Sequence, residues 1–204
     1  MTLQNRVCPT GEIVADPWRG AMMGNRGCLH DSDNRLGRAR WRHKTWVCCV
    51  TEFRGRHRLA MPPKGSPTIY TALFFWDEAA AFAAGHRPCG ECRHGDHRRF
   101  MAHWSKAGLP GERVREVDGH LHPHRVTRDR RQVRAEVAAA DLPRGTYVLI
   151  GGRPAVTDGE RFHFWSPDGY RAVDCRIPER VTRLTPGPLV EVFRAGYRPV
   201  IGLA

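Results

Sequence analysis

The feature that most constrains this chain is the run His86-Arg87-Pro88-Cys89-Gly90-Glu91-Cys92-Arg93. Two thiolates separated by two residues can both face one tetrahedral ion, and the intervening glycine permits the tight turn that this needs. A redox pair, or two small residues in a turn, would use the same letters. A thioredoxin-like redox pair begins a helix that follows a parallel strand. Here the preceding segment reads as a helix closed by Gly85, which favours a metal. The remaining donors must then come from elsewhere in the chain.

The cysteine inventory narrows that choice. Seven cysteines, an odd number, follow an N-terminus without the apolar core of a secretory signal. A disulfide framework is therefore disfavoured and a cytoplasmic protein is expected. Outside the Cys89–Cys92 turn stand Cys8, Cys28, Cys175 and the adjacent pair Cys48 and Cys49. Adjacent residues of a regular strand point to opposite faces, so one of Cys48 and Cys49 can join a shared ion unless a bulge intervenes. Cys28, His30, His57 and His94 are candidates for a fourth ligand.

Trp41 to Phe53 is dense in β-branched and aromatic residues and reads as a strand, with Arg54-Gly-Arg-His-Arg as a basic hairpin tip. A second strand is expected through Leu59-Ala-Met, and another over Ile69–Trp76 after a Pro/Gly-rich break. Asp77 caps an alanine-rich helix over Glu78–Ala84, and Asp96–Lys106 reads as a helix with Phe100 and Trp104 on one face. Residues 1–40 read mostly as ordered loop, with a possible short strand at Glu12–Ala15. Arg113–Ala140 reads as a basic, partly helical stretch interrupted by Pro123. From Asp141, short apolar runs alternate with Gly151-Gly152, Asp158-Gly159 and Ser166-Pro-Asp-Gly turns, which gives hairpin-linked strands and then a tail through Gly196. The expected fold is α+β: a small zinc-stabilised α+β domain (1–107), a basic helical connector (108–140) and a mainly β C-terminal module (141–204).

The stretch from Leu73 to Arg93, Leu-Phe-Phe-Trp-Asp-Glu-Ala-Ala-Ala-Phe-Ala-Ala-Gly-His-Arg-Pro-Cys-Gly-Glu-Cys-Arg, resembles the metal-binding module of Ada-type DNA alkylation-repair proteins. That resemblance covers about 20 residues. It implies that Cys89 and Cys92 are zinc ligands, that Arg87 and Arg93 approach phosphates, and that the domain binds DNA. In that family an upstream CxxxC pair completes the zinc site and supplies the methyl acceptor. Here the adjacent Cys48 and Cys49 stand instead, and no Pro-Cys-His-Arg transferase motif is present, so direct methyl transfer is not implied. The rest of the chain more loosely resembles bacterial proteins of about this size, a likeness that implies no activity.

Charge points the same way. Lys44, Lys64 and Lys106 are the only lysines, so 30 of the 33 basic residues are arginine, against 21 acidic residues, for a net charge of +12. Guanidinium forks match phosphate oxygens, although a GC-rich genome also inflates arginine. The expected nucleic-acid contacts are Arg54, Arg56, Arg58, Arg87 and Arg93, on a face formed by residues 41–58 and 86–99. Of the six tryptophans, Trp46, Trp76 and Trp104 are expected in the core. Asn25–Asp31 is a polar loop that either closes over a site or caps its own backbone. Three histidines within His120-Leu-His-Pro-His, and His94, Asp96 and His97 beside the cysteine turn, offer ligands or a general base for a metal-dependent nuclease acting on DNA or RNA. The reading preferred here is a zinc-containing DNA-binding protein connected with repair or processing. An interaction protein whose charge reflects genome composition is the third reading. No apolar run approaches the roughly 20 residues of a membrane span.

Overall fold

The computed structural model describes residues 2–57 and 70–203, residues 56 and 57 by their backbone alone. It is a mixed α+β protein with two six-stranded sheets. The first sheet draws on β1 (Arg6–Val7), β2 (Ile13–Val14), β3 (Met22–Asn25) and β4 (Val47–Val50). A small hairpin follows, β5 (Glu52–Phe53) and β6 (Arg56–His57), and then β7 (Leu73–Phe75), helix α1 (Glu78–Ala83) and β8 (Arg87–Pro88). The sheet order is β2-β1-β7-β3-β4-β8; β1/β7 and β4/β8 run parallel and the other neighbours antiparallel.

Residues 1–40 are thus less loop-like than expected. β3 lies inside the sheet, hidden in the sequence by Gly24 and Asn25, which have poor strand propensity. Gly24 is there for packing: a Cβ would stand 2.5 Å from the Phe75 ring. The strand expected over Trp41–Phe53 is reduced to β4 and β5. Residues 41–46 fold back on themselves instead, with the Trp46 amide donating to the Lys44 carbonyl and the Trp46 indole to the His43 carbonyl. The turn between β5 and β6 is Arg54-Gly55, both left-handed at φ 53° and 69°, as a two-residue hairpin requires. The strand expected at Leu59–Met61 lies outside the described residues.

Helix α1 follows its sequence signals closely. The Asp77 carboxylate accepts from the Ala80 amide at 2.7 Å and caps the helix. At the other end Gly85, at φ +86°, donates to the Phe82 carbonyl while His86 donates to that of Ala81, a Schellman closure. Every residue of α1 is buried. Ala79, Ala80 and Ala83 pack with Trp18, Tyr147, Val156 and Trp165; Ala81 and Ala84 with Val7, Leu73 and Phe75; Phe82 with Phe100, Trp104 and Phe193. Alanine makes this possible, because small side chains let neighbours approach the helix from all sides.

Helices α2 (His94–Lys106) and α3 (Val114–Arg125) come next. Phe100 and Trp104 are fully buried on one face of α2. Pro123 does not interrupt α3: the helix runs on to Arg125, although the proline has no N–H to give the Gly119 carbonyl. The second sheet contains β9 (Ala135–Ala138), β10 (Tyr147–Ile150), β11 (Arg153–Thr157), β12 (Phe162–Ser166), β13 (Gly169–Ala172) and β14 (Arg180–Arg183). Its order is β13-β12-β11-β10-β14-β9, all antiparallel. The tail is more structured than expected: α4 (Gly187–Arg194) buries Leu189, Val192 and Phe193. Pro186-Gly187-Pro188 reads as a breaker, yet proline is well suited to a first helical turn. Trp46 and Trp104 are buried as expected, whereas Trp76 is half-buried, edge-on to Trp18 and Trp165. Among the described residues no helix is long and apolar enough to cross a membrane.

Candidate metal centre

Strand alternation separates the adjacent cysteines. Cys48 faces the cluster of Val7, Leu73, Phe75 and Ala81, and Cys49 faces that of Met23, Ala72 and Phe74. Parallel pairing of β4 with β8 sets Cys48 opposite Pro88, and the Cys89 amide donates to the Cys48 carbonyl at 2.9 Å. This register brings Cys89 onto the Cys49 side. The chain then turns through Gly90-Glu91, and the Arg93 amide donates to the Cys89 carbonyl at 3.1 Å just before α2 begins. The Sγ atoms of Cys49, Cys89 and Cys92 all lie within 4.8 Å of one another and can hold a metal ion.

The surrounding hydrogen bonds suit thiolates. The Cys89 sulfur accepts from the thiols of Cys49 and Cys92, then from the backbone amides of Cys92 and Glu91, and its acidity is raised far beyond that of a free thiol. Cys49, the donor toward both other sulfurs and buried as well, is pushed strongly the other way. In Cys92 the bond from Cys49 favours the thiolate, but Cys89 and burial outweigh it and the pKa rises. Protons are therefore crowded onto the thiols around one thiolate, where a bound cation would take their place.

Cys48, named in the sequence reading as a possible ligand, is not part of this grouping. Its thiol lies across the strand, where the Arg93 guanidinium donates to it at 3.6 Å, and burial raises its pKa. Cys28 donates to the His30 carbonyl at 3.4 Å, while the buried His30 ring lies between Thr71 and the Gln4 carbonyl. Neither approaches the three sulfurs, and among the described residues no fourth donor does. The side chain of His57 lies outside the described residues.

Two arginines expected to meet phosphate are committed elsewhere. Arg87, 2% exposed, forms a bidentate pair with Asp118 at 2.9 and 2.7 Å, joining β8 to α3. Arg93, 8% exposed, bridges Glu78 at 2.6 Å and Asp96 at 2.6 Å. The resemblance to Ada-type modules suggested phosphate contacts for them; Asp96 lies three residues from Arg93, but Asp118 and Glu78 are distant in sequence and gave no local signal. Arg54 is exposed at its hairpin turn, over the Phe53 ring. Arg56 is described as backbone only and Arg58 lies outside the described residues.

The proposed catalytic groups fare unequally. Asp96 is held by Arg93 and by Arg99 at 2.5 Å, so its carboxylate is no free base. His94 is exposed, with Nδ1 3.3 Å from the Gly90 carbonyl. His97 is half-buried against Gly90 in the cysteine turn, and burial followed by the Arg87 charge lowers its pKa. The 120–124 histidines lie on α3 rather than in a loop; His120 and His124 are 5.0 Å apart, and His122 packs on Trp41 and Trp46. The Asn25–Asp31 loop caps itself: the Asn25 side chain accepts from the Gly27 amide at 2.6 Å, and Thr71 accepts from those of Leu29 and His30.

No protein-family model, no curated protein and no solved structure matches this chain. The geometry of the three cysteines is accordingly the main ground for a functional reading.

Proposed function

We propose that Cys49, Cys89 and Cys92 hold a zinc ion that serves as a structural clasp in a DNA-binding protein connected with repair or processing. The observation that carries this reading is the grouping of three sulfurs within 4.8 Å on the β4/β8 register. An all-thiolate set selects soft ions, zinc among them, and the resemblance over residues 73–93 favours zinc. When bound, the ion supplies folding energy by tying β4 to the start of α2.

DNA binding rests on the +12 charge. With Arg87 and Arg93 committed to carboxylates, the phosphate-facing groups are reduced to exposed ones: Arg54, with Arg42, Lys44 and Arg98 close in sequence to the clasp. The nuclease reading loses Asp96 to its ion pairs.

Elemental mass spectrometry of untagged, reduced protein tests the metal. A single zinc per chain is expected, lost in Cys49→Ser and Cys89→Ser and kept in Cys48→Ser. Metal-free wild-type protein would overturn the clasp. DNA retention should fall steeply with salt, as counterion release requires. Failure to bind duplex DNA at low salt would leave the interaction-protein reading in its place.

A further inference from the structure

A second feature lies apart from the cysteines. Between the β1–β2 turn, the end of α1 and the chain beyond α3 opens a cavity of about 530 Å³. Six arginines line it, Arg26, Arg40, Arg125, Arg130, Arg131 and Arg134, with Glu12 the one acid of the lining, and Arg131 is paired at the surface with Asp129 at 3.0 Å.

Two of the six are inside the protein. Arg26 is 3% exposed and Arg125 is 2% exposed, with their guanidinium carbons 4.1 and 4.4 Å from the Trp46 ring centroid. Both are hydrogen-bonded only to neutral groups. Arg26 donates to the Ala84 carbonyl at 3.0 Å and to the His86 ring at 3.3 Å. Arg125 donates to the carbonyls of Gly85, Lys44 and Asp118. Its Nε–H is buried with no acceptor. The charge of Asp118 favours the Arg125 cation, but both its carboxylate oxygens are taken by Arg87 and burial outweighs it. Burial, and then the charges of Arg125 and Arg40, lower the pKa of Arg26 to about 9. Buried cations without a counter-charge are expensive, and natural proteins pair them or use them to bind anions.

The rim is built rather than loose. Residues 127–131 form a tight turn, closed by the Thr127 amide on the Arg131 carbonyl, with Arg130 left-handed at φ 69°. The Gln132 side chain fastens this turn by donating to the carbonyls of Pro9 and Ala83 at 2.8 and 3.0 Å. The backbone that carries Arg130, Arg131 and Arg134 is thereby fixed at the edge of the cavity that Arg26 and Arg125 also line.

We propose that this cavity binds a phosphomonoester, the terminal phosphate of a mononucleotide or of a nucleic-acid strand. A monoester phosphate carries a charge near −2 at neutral pH and three free oxygens, which suits several guanidinium forks. An internal phosphodiester carries one charge and belongs to a continuous rod that cannot enter a recess. The volume is that of a small-molecule site. The strand-end source rests on the nucleic-acid reading above; the mononucleotide source and the cavity chemistry do not.

The test uses the full chain. Adenosine 5′-monophosphate is compared with adenosine by calorimetry, and 5′- and 3′-phosphorylated oligonucleotides with the hydroxyl-ended strand, all at fixed salt. The expected result is tighter binding of a phosphorylated probe by about tenfold or more. Preference confined to the monophosphate identifies a mononucleotide site, and preference shared by an oligonucleotide identifies strand ends. Arg125 also holds the carbonyls around Gly85, so the rim double variant Arg40→Gln/Arg134→Gln carries the mutational test. It should keep the wild-type melting temperature and lose the preference. Equal binding of phosphorylated and unphosphorylated probes would overturn the proposal, even if long duplex DNA still binds at low salt. Loss of duplex binding with the phosphate preference intact would remove the DNA reading and leave the cavity standing.

Discussion

Arg87 and Arg93 are buried, as are Arg26 and Arg125, yet the two pairs live in opposite electrostatic states. The first pair meets Asp118, Glu78 and Asp96. The second meets carbonyls and a neutral imidazole and shares the face of one indole. Residue type is the same and all four are buried, so neither decides what such an arginine does. The partner decides: a guanidinium matched by a carboxylate is part of the scaffold, and one without such a match is available to a ligand.

The same substitution at the two sites should separate them. Arg87→Met leaves the Asp118 carboxylate buried and unpaired, with an expected loss of about 3–5 kcal/mol in denaturant unfolding. Removing the proposed ion with a chelator, or Cys49→Ser, should come next, at about 3 kcal/mol when metal is a hundredfold above its Kd. For a chain of this size that is a fall of about 5–10 °C in Tm. Chelation should change nothing further in Cys49→Ser. Arg26→Met replaces an unmatched charge by an apolar side chain of similar length, and stability without ligand should stay within about 1 kcal/mol of wild type. A large loss at Arg26 would erase the contrast between the pairs.

A separate effect is one of pH. Burial, and then the charges of Arg125 and Lys44, hold the His122 imidazole down to about 4, against an ordinary value near 6.5. Above pH 6.5 the folded and unfolded chains are both neutral there. Between pH 6.5 and 4 the unfolded chain takes up a proton that the folded chain refuses, so stability falls as the pH falls. Below 4 both are protonated and the loss is complete. In His122→Gln, urea midpoints should vary less across that window; an unchanged slope would show that the imidazole does not respond to its burial beside Arg125 and Lys44.

Local signals in the sequence were reliable wherever the chain satisfies itself. Asp77, Gly85, the Phe100–Trp104 face and the Gly151-Gly152 hairpin can be read directly, because each rule involves residues within a few positions. Strand alternation also carried far enough to show that one of Cys48 and Cys49 must face away. Which one required the β4/β8 register, a tertiary fact. The fates of Arg87, Arg93, Arg26 and Arg125 were illegible for the same reason: Asp118 is 31 residues from Arg87, and His86 is 60 from Arg26. β3 and α4 were missed because Gly24 and Pro188 look like breakers until the Phe75 ring and the first helical turn explain them.

Helix α1 has a further consequence for how this protein comes apart. Five of its six residues, with the capping Ala84, contribute to three separate clusters of buried side chains, and those clusters include elements of both sheets. Neither sheet can lose its partner without uncovering the helix, so partial opening has no cheap route through it. The amide protons of Ala81 and Ala84, bonded within that helix, should exchange with deuterium only when the whole molecule unfolds, and heating should give a single cooperative transition.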